Sequence, residues 1–117
     1  MAKRTSIMGI PALAKRLRTA MDTGKGCKPL RHDLPDGDLD AAYAVQEANT
    51  KYWLKAGRRP VGRKIGLTSK VVQTQLGVDQ PDFGMLFADV AVPDGEEITA
   101  TSVMQPKIEG EVAFVLD

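Results

Sequence analysis

Apolar residues recur at helical spacing twice in the first half of the chain. Ile10, Leu13, Ala14, Leu17 and Met21 form one stripe, with Pro11 acceptable in a first turn. This pattern predicts a helix over 10–21, ended by Gly24 and Gly26, with Lys15, Arg16 and Arg18 off the stripe on a solvated face. Ala41, Val45, Ala48 and Tyr52 repeat at i, i+4, i+7 and i+11, and Trp53 and Leu54 widen that face. A second helix is expected from Asp38 or Asp40, both suitable N-caps, to about Ala56, with Gly57 just past its end. Residues 22–37 are rich in Gly, Pro and Asp and read as a connection. Residues 1–9 carry no pattern and are expected to fray or to join an interface.

Shorter periods follow. Residues 61–67 read as a strand with two glycines, and Lys64 stands between Gly62 and Gly66 on its own face. Thr68-Ser69 suits the N-cap of a short helix over 70–76, which Gly77 ends. A loop over 79–84 is expected to hold Asp82, and residues 85–88, 90–92 and 98–103 look strand-like around a turn at 93–96. The last eleven residues, 107–117, are rich in β-branched and aromatic side chains. In a strand Glu109 and Glu111 would point the same way, with Cα atoms roughly 6.6 Å apart. Ala113 and Val115 continue their face, and Ile108, Val112, Phe114 and Leu116 line the other, so a buried strand is expected. Because this apolar run reaches Asp117 without a turn, much of the fold and of any site is expected to lie beyond it.

Composition narrows the class. The chain has 117 residues, 43% hydrophobic and 26% charged, the profile of one ordinary globular domain at most. A net charge of +1 gives no reason to expect a nucleic-acid or membrane partner. The charge is polarised: residues 1–33 hold eight Lys/Arg against two acids, and residues 78–117 nine acids against one Lys. Such halves complement each other or neighbouring subunits. Cys27 is the only cysteine, which excludes an internal disulfide and a cysteine-based zinc site and fits a reducing cytoplasm. No apolar run approaches the length of a membrane span, so a cytoplasmic protein is expected. The sole histidine, His32, excludes a His-dominated metal centre and reads as a surface residue.

Candidate chemistry then rests on few residues. Glu109 and Glu111 side by side either stand in water or share a cation, for which a hard, oxygen-preferring ion such as Mg²⁺ is the natural choice. Lys64, with open space around it, is either an edge lysine or an anion site. Asp82 is either an ordinary turn residue or a rigidly held carboxylate.

Three motifs in order weigh on those choices. GRKIGLTS at 62–69, QPDFG at 80–84 and QPKIEGEVAFV at 105–115 are similar to the 2-keto-4-pentenoate hydratase family, within the fumarylacetoacetate hydrolase superfamily. The stretch DAAYAVQ at 40–46 resembles that family's second helix, so the likeness covers most of 38–117. The resemblance implies an α+β fold: a helical region over 1–60, then the opening strands of a mixed β-structure over 61–117. It implies a lyase of aromatic-compound catabolism, a homo-oligomer that hydrates 2-hydroxypenta-2,4-dienoate to 4-hydroxy-2-oxopentanoate with Mg²⁺ or Mn²⁺. Glu109 and Glu111 fall on the family's first two metal ligands, and the third carboxylate belongs to a later segment. Lys64 and Asp82 match positions used at the substrate, with Phe83 and Gly84 beside them, and burial is expected to keep Asp82 basic. The aspartate of QPDFG favours the hydratase branch over the decarboxylase that acts on 2-oxo-3-hexenedioate. The competing reading is an inactive fragment or interaction module.

Overall fold

The computed structural model describes residues 8–117, and its elements run α1 (Ile10–Thr23), α2 (Leu39–Lys55), β1 (Pro60–Gly66), α3 (Lys70–Leu76) and β2 (Asp82–Phe87). The expectation for residues 1–9 falls mostly on 1–7, outside the described residues. Both long helices start and stop where the sequence places them. Pro11 lies in the first turn of α1, and Gly24 ends that helix at φ 65°. Asp38 rather than Asp40 caps α2, its carboxylate accepting from the Ala41 N–H at 2.9 Å. Asp40 instead sits in the first turn, where a negative charge favours the helix dipole.

The stripes of α1 and α2 meet to form the core, Leu13, Ala14 and Val45, flanked by Ile10, Leu30, Leu34 and Ala48. Leu13 and Val45 are the largest side chains fully removed from water. Truncating Leu13 to Ala is expected to cost about 2–5 kcal/mol, read as a lowered urea midpoint. Lys15 is exposed as expected, but Arg16 and Arg18 depart from the expected solvated face. Arg16 reaches Asp33 at 2.5 Å, and Arg18 donates to the buried Asn49 at 2.6 Å while lying 4.1 Å from the Tyr52 ring centroid. Long stems fold back along a helix and bring their charged heads to partners in the connection and in α2.

A second cluster ties the end of α2 to the end of β2. Trp53 and the buried Phe87 meet edge to face at 5.8 Å, and the Arg58 guanidinium stacks on both rings while donating twice to Asp89, at 2.7 and 2.6 Å. Those hydrogen bonds hold the Asp89 carboxyl below its ordinary range. The folded chain therefore takes up that proton less readily than the unfolded one. The pair stabilises the fold at neutral pH, and its contribution is lost as pH falls through the carboxylate range. Unfolding midpoints measured against pH should show a shallower acid-side decline for Asp89→Asn.

β1 and β2 form an antiparallel pair with the register Gly66–Asp82, Ile65–Phe83 and Lys64–Gly84. Here the structure corrects several expectations. Asp82, Phe83 and Gly84 open β2 instead of lying in a loop. Residues 90–92 and 98–103 are not strands; short 3-10 turns occur at Ala88–Val90 and Ala100–Ser102. Nor do residues 107–117 form a buried strand: Ile108, Phe114 and Val115 are 101%, 85% and 96% exposed. Period-two alternation states which way side chains would face, but a strand also needs a neighbour for its N–H and C=O groups. Among the described residues none pairs with this segment. No helix among them is long and apolar enough to cross a membrane.

Candidate active site

The hairpin-like register of β1 and β2 builds one wall of the site. Directly opposed residues share a face, so Gly62, Lys64 and Gly66 stand with Leu86, Gly84 and Asp82 on one side of the ribbon. Lys64 and Asp82 each lie over a glycine of the other strand. A Cβ on Gly84 would meet Lys64 Cγ at 3.1 Å and Cδ at 3.4 Å, and one on Gly66 would collide with Asp82 Oδ1. Lys64 and Asp82 are thereby diagonal neighbours on a floor without side chains.

Leaving β1, the chain turns sharply at Leu67, a non-glycine residue at φ 54°. Such a conformation needs support. Gln73 of α3, only 3% exposed, donates to the Leu67 carbonyl at 2.6 Å and accepts from Lys70 at 3.2 Å. Gln73→Leu should leave that carbonyl and the turn unsupported and lower stability by about 1–3 kcal/mol, again read by denaturation.

A cleft of about 430 Å³ opens over this wall, lined by residues 64–69, including the backbone of Ile65, and by Val72 and Asp82. Glu109, Gly110 and Glu111 line it too. Residues 64, 82, 109 and 111, far apart in sequence, thus meet at one cavity. Phe83 does not line it; it pairs with Ile65 on the opposite face, and Gly84 contributes by lying beneath the Lys64 stem. Asp82 is exposed, which corrects the expectation of a buried carboxylate. His32 is exposed in the 3-10 turn Leu30–His32. Sequence reasoning missed the contribution of Thr68, Ser69 and Val72 as lining, and the role of Gly66 beneath Asp82. Only the pairing register reveals the latter.

A larger cavity of about 730 Å³ lies between α1, α2 and residues 101–104. Its walls are mainly apolar and include no carboxylate, lysine or histidine, so it lacks groups for acid–base work on an anion. The smaller cleft has them.

The acidic donors of the cleft, Asp82, Glu109 and Glu111, are carboxylate oxygens, joined by the hydroxyls of Thr68 and Ser69, a set that suits a hard divalent ion and not a thiolate-seeking one. Among the described residues no three His, Cys, Asp or Glu side chains converge on one point. Glu109 and Glu111 would be at most two of the ligands of such an ion.

Comparison with known proteins agrees with this architecture. No family model matches the chain. In three dimensions it resembles 4-oxalocrotonate decarboxylase from Pseudomonas putida G7, solved with magnesium and adipate, at TM-score 0.69 and 32% identity over 74% of this chain and 33% of that one. The same enzyme solved with calcium and acetate matches equally. The fold is α+β and carries the opening strands of a fumarylacetoacetate hydrolase-like β-structure.

In sequence the match is to hydratases. The chain is 59% identical over 111 residues to 2-keto-4-pentenoate hydratase 1 of Dechloromonas aromatica, covering 95% of this chain and 42% of that protein. It is 59% identical over 103 residues to the TodF product hydratase of Pseudomonas putida F1, and 36% identical over 109 residues to 2-hydroxyhexa-2,4-dienoate hydratase of Comamonas testosteroni. Over nearly all its residues the chain is similar to a portion of a 2-keto-4-pentenoate hydratase, and the resemblance read from the three motifs holds. It spans 42% of the length of that relative.

Proposed function

We propose that this chain supplies the Lys64–Asp82 wall and two metal-holding glutamates of a hydratase that converts 2-hydroxypenta-2,4-dienoate to 4-hydroxy-2-oxopentanoate in aromatic-compound catabolism. The observation that supports this most is the meeting of Lys64, Asp82, Glu109 and Glu111 at one cleft in a chain whose relatives are named as hydratases. Glu109 and Glu111 would hold Mg²⁺ or Mn²⁺, which when bound supplies Lewis acidity to the carboxylate and C2 oxygen of the keto acid. Lys64 places an ammonium beside the same oxygens and opposes the charge that builds there. Asp82 moves protons: it helps deliver one to C5 while the C2 hydroxyl gives up its own and the dienol becomes the enone, then accepts one from the water that attacks C4. The enolate so formed takes a proton at C3 that replaces the one lost from the C2 hydroxyl. The net change is addition of one water. The helical region 1–60 would serve as scaffold and 61–117 as the start of the catalytic region, in a cytoplasmic homo-oligomer with a small-molecule substrate.

The test uses a graft in which this chain replaces the matching segment of the full-length Dechloromonas aromatica relative. Loss of the dienol absorbance and appearance of 4-hydroxy-2-oxopentanoate are expected; an inert but folded graft contradicts the proposal. The structural likeness to a decarboxylase favours a second reading, conversion of 2-oxo-3-hexenedioate with release of CO₂. Release of CO₂ by the graft, without hydration of the monocarboxylic dienol, would select it. The chain by itself, with two glutamates in the cleft, is expected to show no micromolar heat signal when titrated with Mg²⁺. A micromolar Kd would mean that the isolated chain already completes the metal shell.

A further inference from the structure

The outer edge of β2 is occupied by side chains of α2. At Phe83, the residue after Asp82, the N–H donates to the Tyr43 hydroxyl at 3.1 Å and the carbonyl accepts from Gln46 Nε2 at 2.9 Å. Tyr43 and Gln46 are three residues apart, so they project from one face of α2 and grip both polar groups of a single peptide position. Both groups of Phe83 are therefore turned away from β1, and Ile65–Phe83 is a non-hydrogen-bonded pair of the ladder. The helix takes the place of a third strand at that one residue.

The consequence falls on Asp82. Side chains in a strand alternate, so a one-residue slip of β2 would turn Asp82 to the Phe83 face and away from Lys64 and the cleft. A two-stranded ribbon holds its register weakly by itself. We infer that Tyr43 and Gln46 are positioning residues that lock the register of β2 and so aim the Asp82 carboxylate over Gly66 into the cleft. This inference rests on the reading above in which Asp82 moves protons, although the clamp itself can be tested without it.

The clamp is tested first in the chain alone, by amide hydrogen exchange at Phe83 in Tyr43→Phe and Gln46→Met. Tyr43→Phe should speed exchange at that amide by at least about tenfold with little change in the helical core. Unchanged protection at Phe83 in both variants overturns the clamp. In the hydratase graft, each variant should lower kcat about tenfold or more at nearly constant KM and displace the acid limb of the kcat–pH profile, because a misplaced base still lets substrate bind. A purely structural role would reduce the amount of active protein and leave kcat per active site and the pH profile untouched; that result also overturns the inference. Asp82→Asn in the same graft separates the two layers. If it turns over normally while Phe83 exchange responds to Tyr43→Phe, the clamp exists but the proton-transfer role of Asp82 is wrong.

Discussion

Asp82→Asn in the hydratase graft is expected to lower kcat by about 10²–10⁴-fold, the range associated with loss of a positioned general acid–base group. The amide has the shape of the carboxylate but cannot take a proton from water. Asp82 is exposed, so the exchange should leave packing and the unfolding midpoint unchanged. The loss should appear in kcat more than in KM, since Lys64 and the metal-holding glutamates would still bind the carboxylate end of the substrate. Near-normal kcat would remove Asp82 from the chemistry. Lys64→Ala should differ in kind: it withdraws charge from the anionic oxygens and is expected to raise KM as well as lower kcat.

The second large effect is expected at a residue with no side chain. Gly66→Ala places a methyl group where the Asp82 carboxylate lies, closer to Oδ1 than van der Waals contact allows. Either the carboxylate swings out of the cleft or β1 and β2 separate locally. A displacement of an ångström at a reacting group can cost about 10²-fold in rate, so turnover should fall to that extent. Gly62→Ala is the control. A Cβ there would find only Leu86 Cδ1, at an ordinary 3.9 Å, and should be tolerated. Equal losses in the two variants, measured as kcat on folded protein, would mean that strand flexibility matters and that the floor under Asp82 does not.

These two residues also show what the sequence could and could not convey. The helices were legible because stripes such as Leu13–Leu17 and stop signals such as Gly24 are local, and β1 and α3 likewise end at their own glycines or caps. Lys64 between two glycines was visible on one strand, and the motif resemblance supplied the roles expected of Asp82, Glu109 and Glu111. That Gly66 lies under Asp82 depends on a pairing between residues 16 positions apart, which no local pattern encodes. Tyr43 and Gln46 were hidden for the same reason, since their partner lies 40 and 37 residues away. The opposite error occurred at residues 107–117. Their alternation is that of a strand, yet pairing is a property of two segments, and no described residue pairs with this one. Arg16 and Arg18 were misplaced because a stripe assigns Cα positions to a face and says nothing of where long side chains end.

Paramagnetic broadening by Mn²⁺ in the amide spectrum of the chain addresses the shared cleft most directly. Substoichiometric Mn²⁺ should broaden residues 109–111 together with 64–69 and 82, while the acidic stretch Asp94–Glu97 stays sharp, and Glu109→Gln with Glu111→Gln should abolish the pattern. Broadening confined to 109–111, or spread over every acidic segment alike, would contradict the account: the glutamates and the Lys64–Asp82 wall would then belong to no common divalent-ion site.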